Sequence, residues 1–212
     1  MIKKSILIFG ASGFGREFAW LIKQLTDWEV SGFIDDNEHI QNKMVNGYPV
    51  LGNSDTLLQM NDVNVVIAIG SSTSRSKIIN KLKDNSTIHY PNILDKDIVI
   101  DDTVSLGKGN IICKNSVLTT NIVLGDFNIV NLNCTIGHDV IMNDFVTLNP
   151  AVNVSGNVTI GNRVNVGTGT QIIQGKTITN DCILGAGAVV VSDLDRKGTY
   201  IGVPAKLYKE GE

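Results

Sequence analysis

The sequence predicts two architectures in one chain: an α/β domain, then an all-β solenoid of the parallel β-helix kind. Three observations carry this. The first 93 residues alternate continuous apolar runs with helically spaced ones. From about residue 98 a large aliphatic residue recurs at every sixth position, and glycine often follows it.

Within residues 1–93, SILIFG is a continuous apolar run ending in glycine, which reads as a buried strand. FGREFAWLIKQL sets Phe14, Phe18, Leu21, Ile22 and Leu25 on one helical face. EVSGFIDD and VNVVIAIG read as further strands, and STSRSKIINKLK as a second helix opening on serine and threonine caps. Strand, glycine turn, helix, strand is the pattern of a parallel sheet covered by helices.

Gly10, Gly13 and Gly15 in GASGFG have the spacing G-x-x-G-x-G, not the G-x-G-x-x-G of dinucleotide binding. Placed between strand and helix, their amides can face a phosphate or a base; the plainer reading is a tight turn without a ligand. The acidic pair Asp35 and Asp36 also fits an NAD site. Against NAD, the segment is under 100 residues and provides nothing for a hydride acceptor. Arg75 either pairs with phosphate or is a solvated residue of its helix.

From Ile100 to Val190, sixteen consecutive positions six apart carry Leu, Ile, Val or Met, in a chain that is 42% hydrophobic. Ordinary strands predict period two and irregular turns, so this is a hexapeptide repeat. Glycine follows the aliphatic residue (i) at Gly107, Gly125, Gly137, Gly161, Gly167 and Gly185. Small or branched residues stand at i+4, as at Ser116, Cys134, Val140 and Ala188. Three hexapeptides make a triangular coil of 18 residues, and coils stack about 4.8 Å apart, so five give a prism about 25 Å tall. Positions i and i+4 point inward, i+1 to i+3 turn the corner, and glycine at i+1 is expected to supply the bend.

His138 falls at i+2 and Asp139 at i+3, which places both on a corner of the prism instead of in its core. Gly156 stacks over His138 one coil later, and a second corner column holds Pro150, Thr168 and Ala186. Metal binding needs convergent ligands. The other histidines, His39 and His89, lie in the first half, so no metal is expected and acid–base chemistry is the reading for His138.

A net charge of -3 and a pI near 5.6 argue against nucleic acid as a partner. No apolar run approaches the roughly 20 residues of a membrane span. MIKKSILIFGAS has too short an apolar run for a signal peptide and reads as a first strand, so the protein is expected to be cytoplasmic. Cys113, Cys134 and Cys182 are odd in number and lack C-x-x-C spacing; they read as buried thiols.

Together, GASGFGRE, FIDD, AIGSS, the unbroken hexapeptides, GHD and the terminal GVPAK resemble one family over nearly the whole chain. It is the hexapeptide-repeat sugar acyltransferases with an N-terminal nucleotide-sugar-binding domain. Its members include the bacillosamine-type UDP-4-amino-sugar N-acetyltransferases, GDP-perosamine N-acetyltransferases and sialic-acid O-acetyltransferases. The resemblance implies a Rossmann-like domain over residues 1–93 and a left-handed β-helix over 94–212 with a C-terminal tail. It also implies a homotrimer with acyl-CoA in the groove between neighbouring subunits.

By the same resemblance His138 is the catalytic base, Asp139 raises its basicity, and the Gly156 amide holds the developing oxyanion. Acyl-CoA contacts carry over to Gly167, Thr168 and Ala186, and an asparagine near the sugar to Asn131. Ser12, Gly13 and Phe14 are implied to touch the nucleotide, Asp35 and Asp36 its base or ribose, and Gly70 the phosphate side. One position departs: the family's acyl-CoA-contacting histidine, nine residues after the base, is Thr147, which can still donate a hydrogen bond.

The function expected is acetyl-CoA-dependent N-acetylation of a nucleotide-linked 4-amino-4,6-dideoxysugar. The attacking amine must lose a proton, work suited to a histidine, and a donor at the tetrahedral oxygen is worth about 3 kcal/mol. The alternatives are O-acetylation of a sialic acid or similar sugar, since the same base serves a hydroxyl, and a non-catalytic scaffold. A His-Asp pair on a corner argues against the scaffold.

Overall fold

The computed structural model describes residues 3–211; Met1, Ile2 and Glu212, at the ends of the two expected domains, lie outside the described residues. The first half runs β1 (Lys4–Phe9), α1 (Gly13–Ile22), β2 (Trp28–Ile34), β3 (Met44–Val45), β4 (Tyr48–Gly52), α2 (Ser54–Leu58), β5 (Val63–Ile67), α3 (Ser72–Leu82) and β6 (Ile88–His89). The expected strands and helices are present, with a hairpin and a short helix added. Asn46 and Gly47, both at positive φ, close the β3–β4 hairpin. Asn53 caps α2 in a capping box with Thr56.

The sheet order is β3-β4-β2-β1-β5-β6, parallel apart from that hairpin. From β1 the chain passes through α1 to β2 on one side, and β5 pairs on the other. Such a reversal opens a crevice at the carboxyl ends of β1 and β5, where sheets of this kind hold ligands. Ile6, Ile8, Phe18, Leu21, Ile22 and Phe33 fill the α1 side of the sheet. Leu7, Phe9, Ile34, Val65, Ile67 and Leu82 fill the other.

In the second half, two-residue strands recur every six residues from Ser105–Leu106 to Val189–Val190, and each up to Gln171–Ile172 pairs in parallel with the strand eighteen residues on. They build three stacked sheets around one apolar core that runs from Ile112 to Val190. The solenoid begins one hexapeptide before Ile100: Ile93–Leu94 pairs with Ile111–Ile112, and Leu94 packs on the core. At the far end Gly198–Ile201 extends the same sheet beside Ile183–Leu184, and Lys206–Glu210 folds back antiparallel.

The expected reason for glycine at i+1 is corrected. Gly107, Gly125, Gly137, Gly161, Gly167 and Gly185 do not adopt positive φ. The third corner residue does, at every sixth position from Gly109 to Gly187. The i+1 glycines instead allow coils to approach: a Cβ on Gly137 would stand 2.7 Å from Gly156 N, and one on Gly167 2.6 Å from Ala186 N.

Side-chain ladders fix the stacking. Asp126, Asp144, Asn162 and Asn180 each accept the N–H of the residue eighteen places earlier, at 2.7 to 3.0 Å. Inside the prism the sense is reversed: Asn92, Asn110 and Asn128 accept the N–H of the residue eighteen places later, Asn110, Asn128 and Val146 respectively.

One face of the prism is covered. The outward Ile129 is 1% exposed, whereas Val117, at an equivalent position on another face, is 52% exposed. The cause is the α/β half, whose α1-side core takes in Ile93, Ile111, Cys113 and Ile129.

Candidate active site

His138 sits on the corner between Thr135–Ile136 and Ile141–Met142, strands of the two faces left open. Its Nδ1 lies 2.7 Å from Asp139 Oδ2, and both side chains are 52% exposed. Asp139 adopts φ 60°, a left-handed backbone that aspartate tolerates better than most residues. The hydrogen bond from His138, aided by the Asn121 side chain, holds the Asp139 carboxyl below the ordinary carboxylate range. An ionised carboxylate at Nδ1 selects the tautomer with the proton there, which leaves Nε2 with a lone pair to accept a proton.

Gly156 stacks directly on that ring: a Cβ built on it would run into His138 Cε1 and Nε2. On the Asp126–Asn180 corner the i+2 amides are taken by the carboxylate or amide of the next coil. The His138 corner has no such ladder, and the Gly156 N–H donates to no backbone carbonyl among the described residues. A donor thus stands one coil from the base.

Thr168 and Ala186 are exposed and Gly167 half-buried, but they occupy a different corner, the one after Val166 and Leu184. One chain therefore does not bring them to His138. Asn131 lies on that second corner and is nearly buried; its Oδ1 accepts the Leu132 N–H at 2.7 Å and its carbonyl the Ser116 hydroxyl at 2.7 Å.

The glycine turn stands at the crevice. Gly10 is at φ 105°, and a Cβ on Gly15 would collide with the Gly10 carbonyl, so these two glycines shape the turn. Ser12 and Gly13 are exposed, and Gly13 has open space around it and no positive φ. Phe14 is half-buried against Phe18. Asp35 accepts the N–H groups of Ala11 and Asn37, each at 2.8 Å, and Asp36 that of Ser54 at 2.7 Å. Both carboxylates therefore brace the loops that frame the crevice.

Two residues differ from expectation. Arg75 is neither solvated nor open to a phosphate: it is 1% exposed at the seam between the halves. It donates to the carbonyls of Phe127 (2.8 Å), Ile69 (2.6 Å), Gly70 (3.3 Å), Phe145 (2.9 Å) and Val146 (3.1 Å), and to Thr147 Oγ1 (3.0 Å). Burial lowers its pKa to about 9, still high enough to keep the guanidinium charged at neutral pH. Thr147, expected at the acyl-CoA, is 1% exposed and donates to the Gly70 carbonyl at 2.8 Å. Its outward position on the covered face has buried it. Sequence spacing alone gave no sign of this seam, because the pairs are 52 to 77 residues apart.

Cys113, Cys134 and Cys182 are free and buried, and burial pushes the Cys134 and Cys182 thiols up to about 11. Among the described residues no group of three or more His, Cys, Asp or Glu is placed to hold a metal, and no helix is long and apolar enough to cross a membrane. An open groove of about 640 Å³ is bordered by Lys83, His89, Tyr90 and Lys108 and contains none of the expected site residues.

The family model for the PglD N-terminal domain matches residues 5–82. The whole chain is similar to the acetyltransferase domain of PglB from Neisseria gonorrhoeae, in complex with acetyl coenzyme A, at 30% identity and a TM-score of 0.89, covering 97% of this chain and 99% of that one. The chain belongs to the hexapeptide-repeat sugar acetyltransferases. Within this family it is also similar to a mutant of perosamine N-acetyltransferase from Caulobacter crescentus in complex with CoA and GDP-perosamine. There the identity is 28% and the TM-score 0.88, over 98% of this chain and 97% of that one. WeeI from Acinetobacter baumannii gives 30% identity and a TM-score of 0.85, over 97% and 100%. Comparison with curated proteins finds no match. As a sugar acetyltransferase the chain is an acyltransferase, and its fold is an α/β domain followed by a left-handed parallel β-helix.

Proposed function

We propose that the protein transfers the acetyl group of acetyl-CoA to the amine of a nucleotide-linked 4-amino-4,6-dideoxysugar. The observation that carries this reading is His138, hydrogen-bonded to Asp139 and lying under the unengaged amide of Gly156. The amine nitrogen attacks the thioester carbonyl as His138 Nε2 takes its proton. The Gly156 N–H donates to the oxygen that becomes negative. The intermediate collapses with loss of the CoA thiolate, which takes the proton back from His138.

The α/β half, residues 1–93, is assigned the nucleotide, held at Ser12, Gly13, Phe14 and Gly70 with the loops braced by Asp35 and Asp36. The solenoid, residues 94–212, is assigned acetyl-CoA, with Gly167, Thr168 and Ala186 on the second corner and Asn131 near the sugar. The C. crescentus relative, bound to CoA and GDP-perosamine, and the N. gonorrhoeae relative, bound to acetyl coenzyme A, support this division.

The active assembly is a homotrimer. The α/β half covers one face of the prism, and His138 stands on the corner opposite that face. A crevice and the base of the same chain therefore point away from each other, and a neighbour must supply one of them. Three buried, unpaired thiols suit a reducing compartment, the cytoplasm.

The test is a thermal-shift screen against UDP-, GDP-, dTDP- and CMP-linked sugars, then release of CoA thiol with each hit. Thiol release with a 4-amino sugar nucleotide is expected. Release only with a sialic acid would replace this reading with O-acetylation, and silence with every acceptor would remove catalysis altogether.

A further inference from the structure

Arg75 stands where a buried charge needs a reason. Its guanidinium is buried and faces carbonyl and hydroxyl oxygens, with no carboxylate of the described residues among its partners. Its Nε and Nη2 reach Phe127 O and Phe145 O, equivalent corner positions eighteen residues apart in successive coils. These two phenylalanines adopt φ 56° and 59° and stack at 5.4 Å, a backbone that bulky residues rarely take. On its other edge Nη1 holds Ile69 and Gly70, the loop that follows β5 at the crevice. One planar fork thus ties that loop to two coils at once, which an ammonium could not do.

The height at which it is tied is informative. The Gly70 carbonyl is anchored on Thr147, nine residues after His138 and nine before Gly156. Nine residues are half a coil, so along the prism axis Gly70 is pinned about midway between the base and the amide, some 2.4 Å from each for a coil spacing of about 4.8 Å. A threefold axis parallel to the prisms leaves heights unchanged from one copy to the next.

We propose that Arg75, with Thr147, is a positioning residue that sets the height of the acceptor crevice against a neighbour's His138–Gly156 pair. This rests on the trimeric N-acetyltransferase reading above. Arg75 touches neither substrate. It acts through the Ile69–Gly70 loop, and its effect falls on the reaching geometry of the bound amine.

Three variants, Arg75→Lys, Arg75→Met and Thr147→Val, test this beside the wild type, with GDP-perosamine and a UDP-linked 4-amino-4,6-dideoxysugar as acceptors. In variants that remain trimeric, kcat is expected to fall about 10-fold or more while the KM for both substrates stays within about 3-fold, as displacement of about 1 Å predicts. Thr147→Val keeps the shape of the seam and leaves the charge in place, so it decides the matter if the Arg75 variants do not fold. A seam that only stabilises would lower the melting temperature and leave kcat untouched; wild-type kcat in folded Thr147→Val overturns the proposal. So does a rise in acceptor KM at constant kcat, which would make the network a binding element. A silent wild type would instead sink the enzymatic reading on which the proposal rests.

Discussion

The His138 ring lies against the α-carbon of Gly156, one coil apart, so closely that no side chain fits between them. Base and amide donor are thereby held in one stack, and the absence of a Cβ is what permits it. Gly156→Ala should therefore fold as a solenoid, because Gly156 is not at positive φ, yet swing the imidazole aside. Loss of about 100-fold in kcat is expected, measured by thiol release, with far-ultraviolet circular dichroism unchanged. Wild-type turnover would separate Gly156 from the chemistry.

His138→Ala should lower kcat about 100-fold or more and leave acetyl-CoA affinity near wild type, the pattern of a removed general base. Asp139→Asn should cost less, since it weakens the orientation of the ring without removing the base. Steady-state kinetics beside calorimetry with acetyl-CoA distinguishes the two losses.

Gly13→Val should fold normally, since the space around Gly13 is open and its backbone is helical. Binding of the sugar nucleotide should weaken about 10-fold or more as the added isopropyl group covers the amides of the turn, while acetyl-CoA binding is unaffected. Calorimetry with each ligand reads this directly. A parallel fall in both affinities would contradict the division of substrates between the halves.

Ile129→Ala removes a buried side chain from the seam and should lower stability by about 2 to 4 kcal/mol. Chemical denaturation followed by tryptophan fluorescence measures it. Both tryptophans, Trp20 and Trp28, lie in the α/β half. Loss well under 1 kcal/mol would mean that the seam yields easily, against the buried network found there.

Acid should destabilise the fold in a defined window. Asp97, Asp101, Asp139 and Asp181 are all held below the ordinary carboxyl value, first by hydrogen bonds from Lys96, Thr103, His138 and Arg163 respectively. A carboxyl with a lower pKa folded than unfolded binds fewer protons in the folded state, so its stabilisation is complete above the unfolded value of about 3.9 and is lost as pH falls through the folded value. Urea midpoints should therefore be level from about pH 7 to 5 and fall below about pH 4. A midpoint that rises on acidification would reverse the sign argued here.

Much of this was legible in the sequence, because a period of six and a period of 3.6 leave different marks. The hexapeptides placed Leu106 to Val190 inside the prism, and the same count put His138 on a corner under Gly156. The role of the i+1 glycines was misread, since a repeat shows where glycine recurs but not whether a turn or a neighbouring coil requires it. The signal for the turn was present at i+3, in Asn115, Asn121, Asn133, Asp139 and Asn157, residues that tolerate positive φ. Arg75 and Thr147 were beyond reach: their surroundings come from residues brought together only when the two halves dock, and no local pattern records docking.

The corner ladder from Asp126 to Asn180 has a direction, opposite to that of the asparagines inside, and direction matters while the chain is being made. Asp126, Asp144, Asn162 and Asn180 each serve a coil synthesised earlier, so a newly emerged coil waits for the next eighteen residues before its corner amides are satisfied. Arg75 waits longer, since Phe145 leaves the ribosome seventy residues after it. During that interval the α/β half carries a hydrated cation on a surface destined for the interior. Docking of the two halves is thus a late event in biosynthesis, and the loop that follows β5 receives its final anchor only once the coils of the catalytic corner exist.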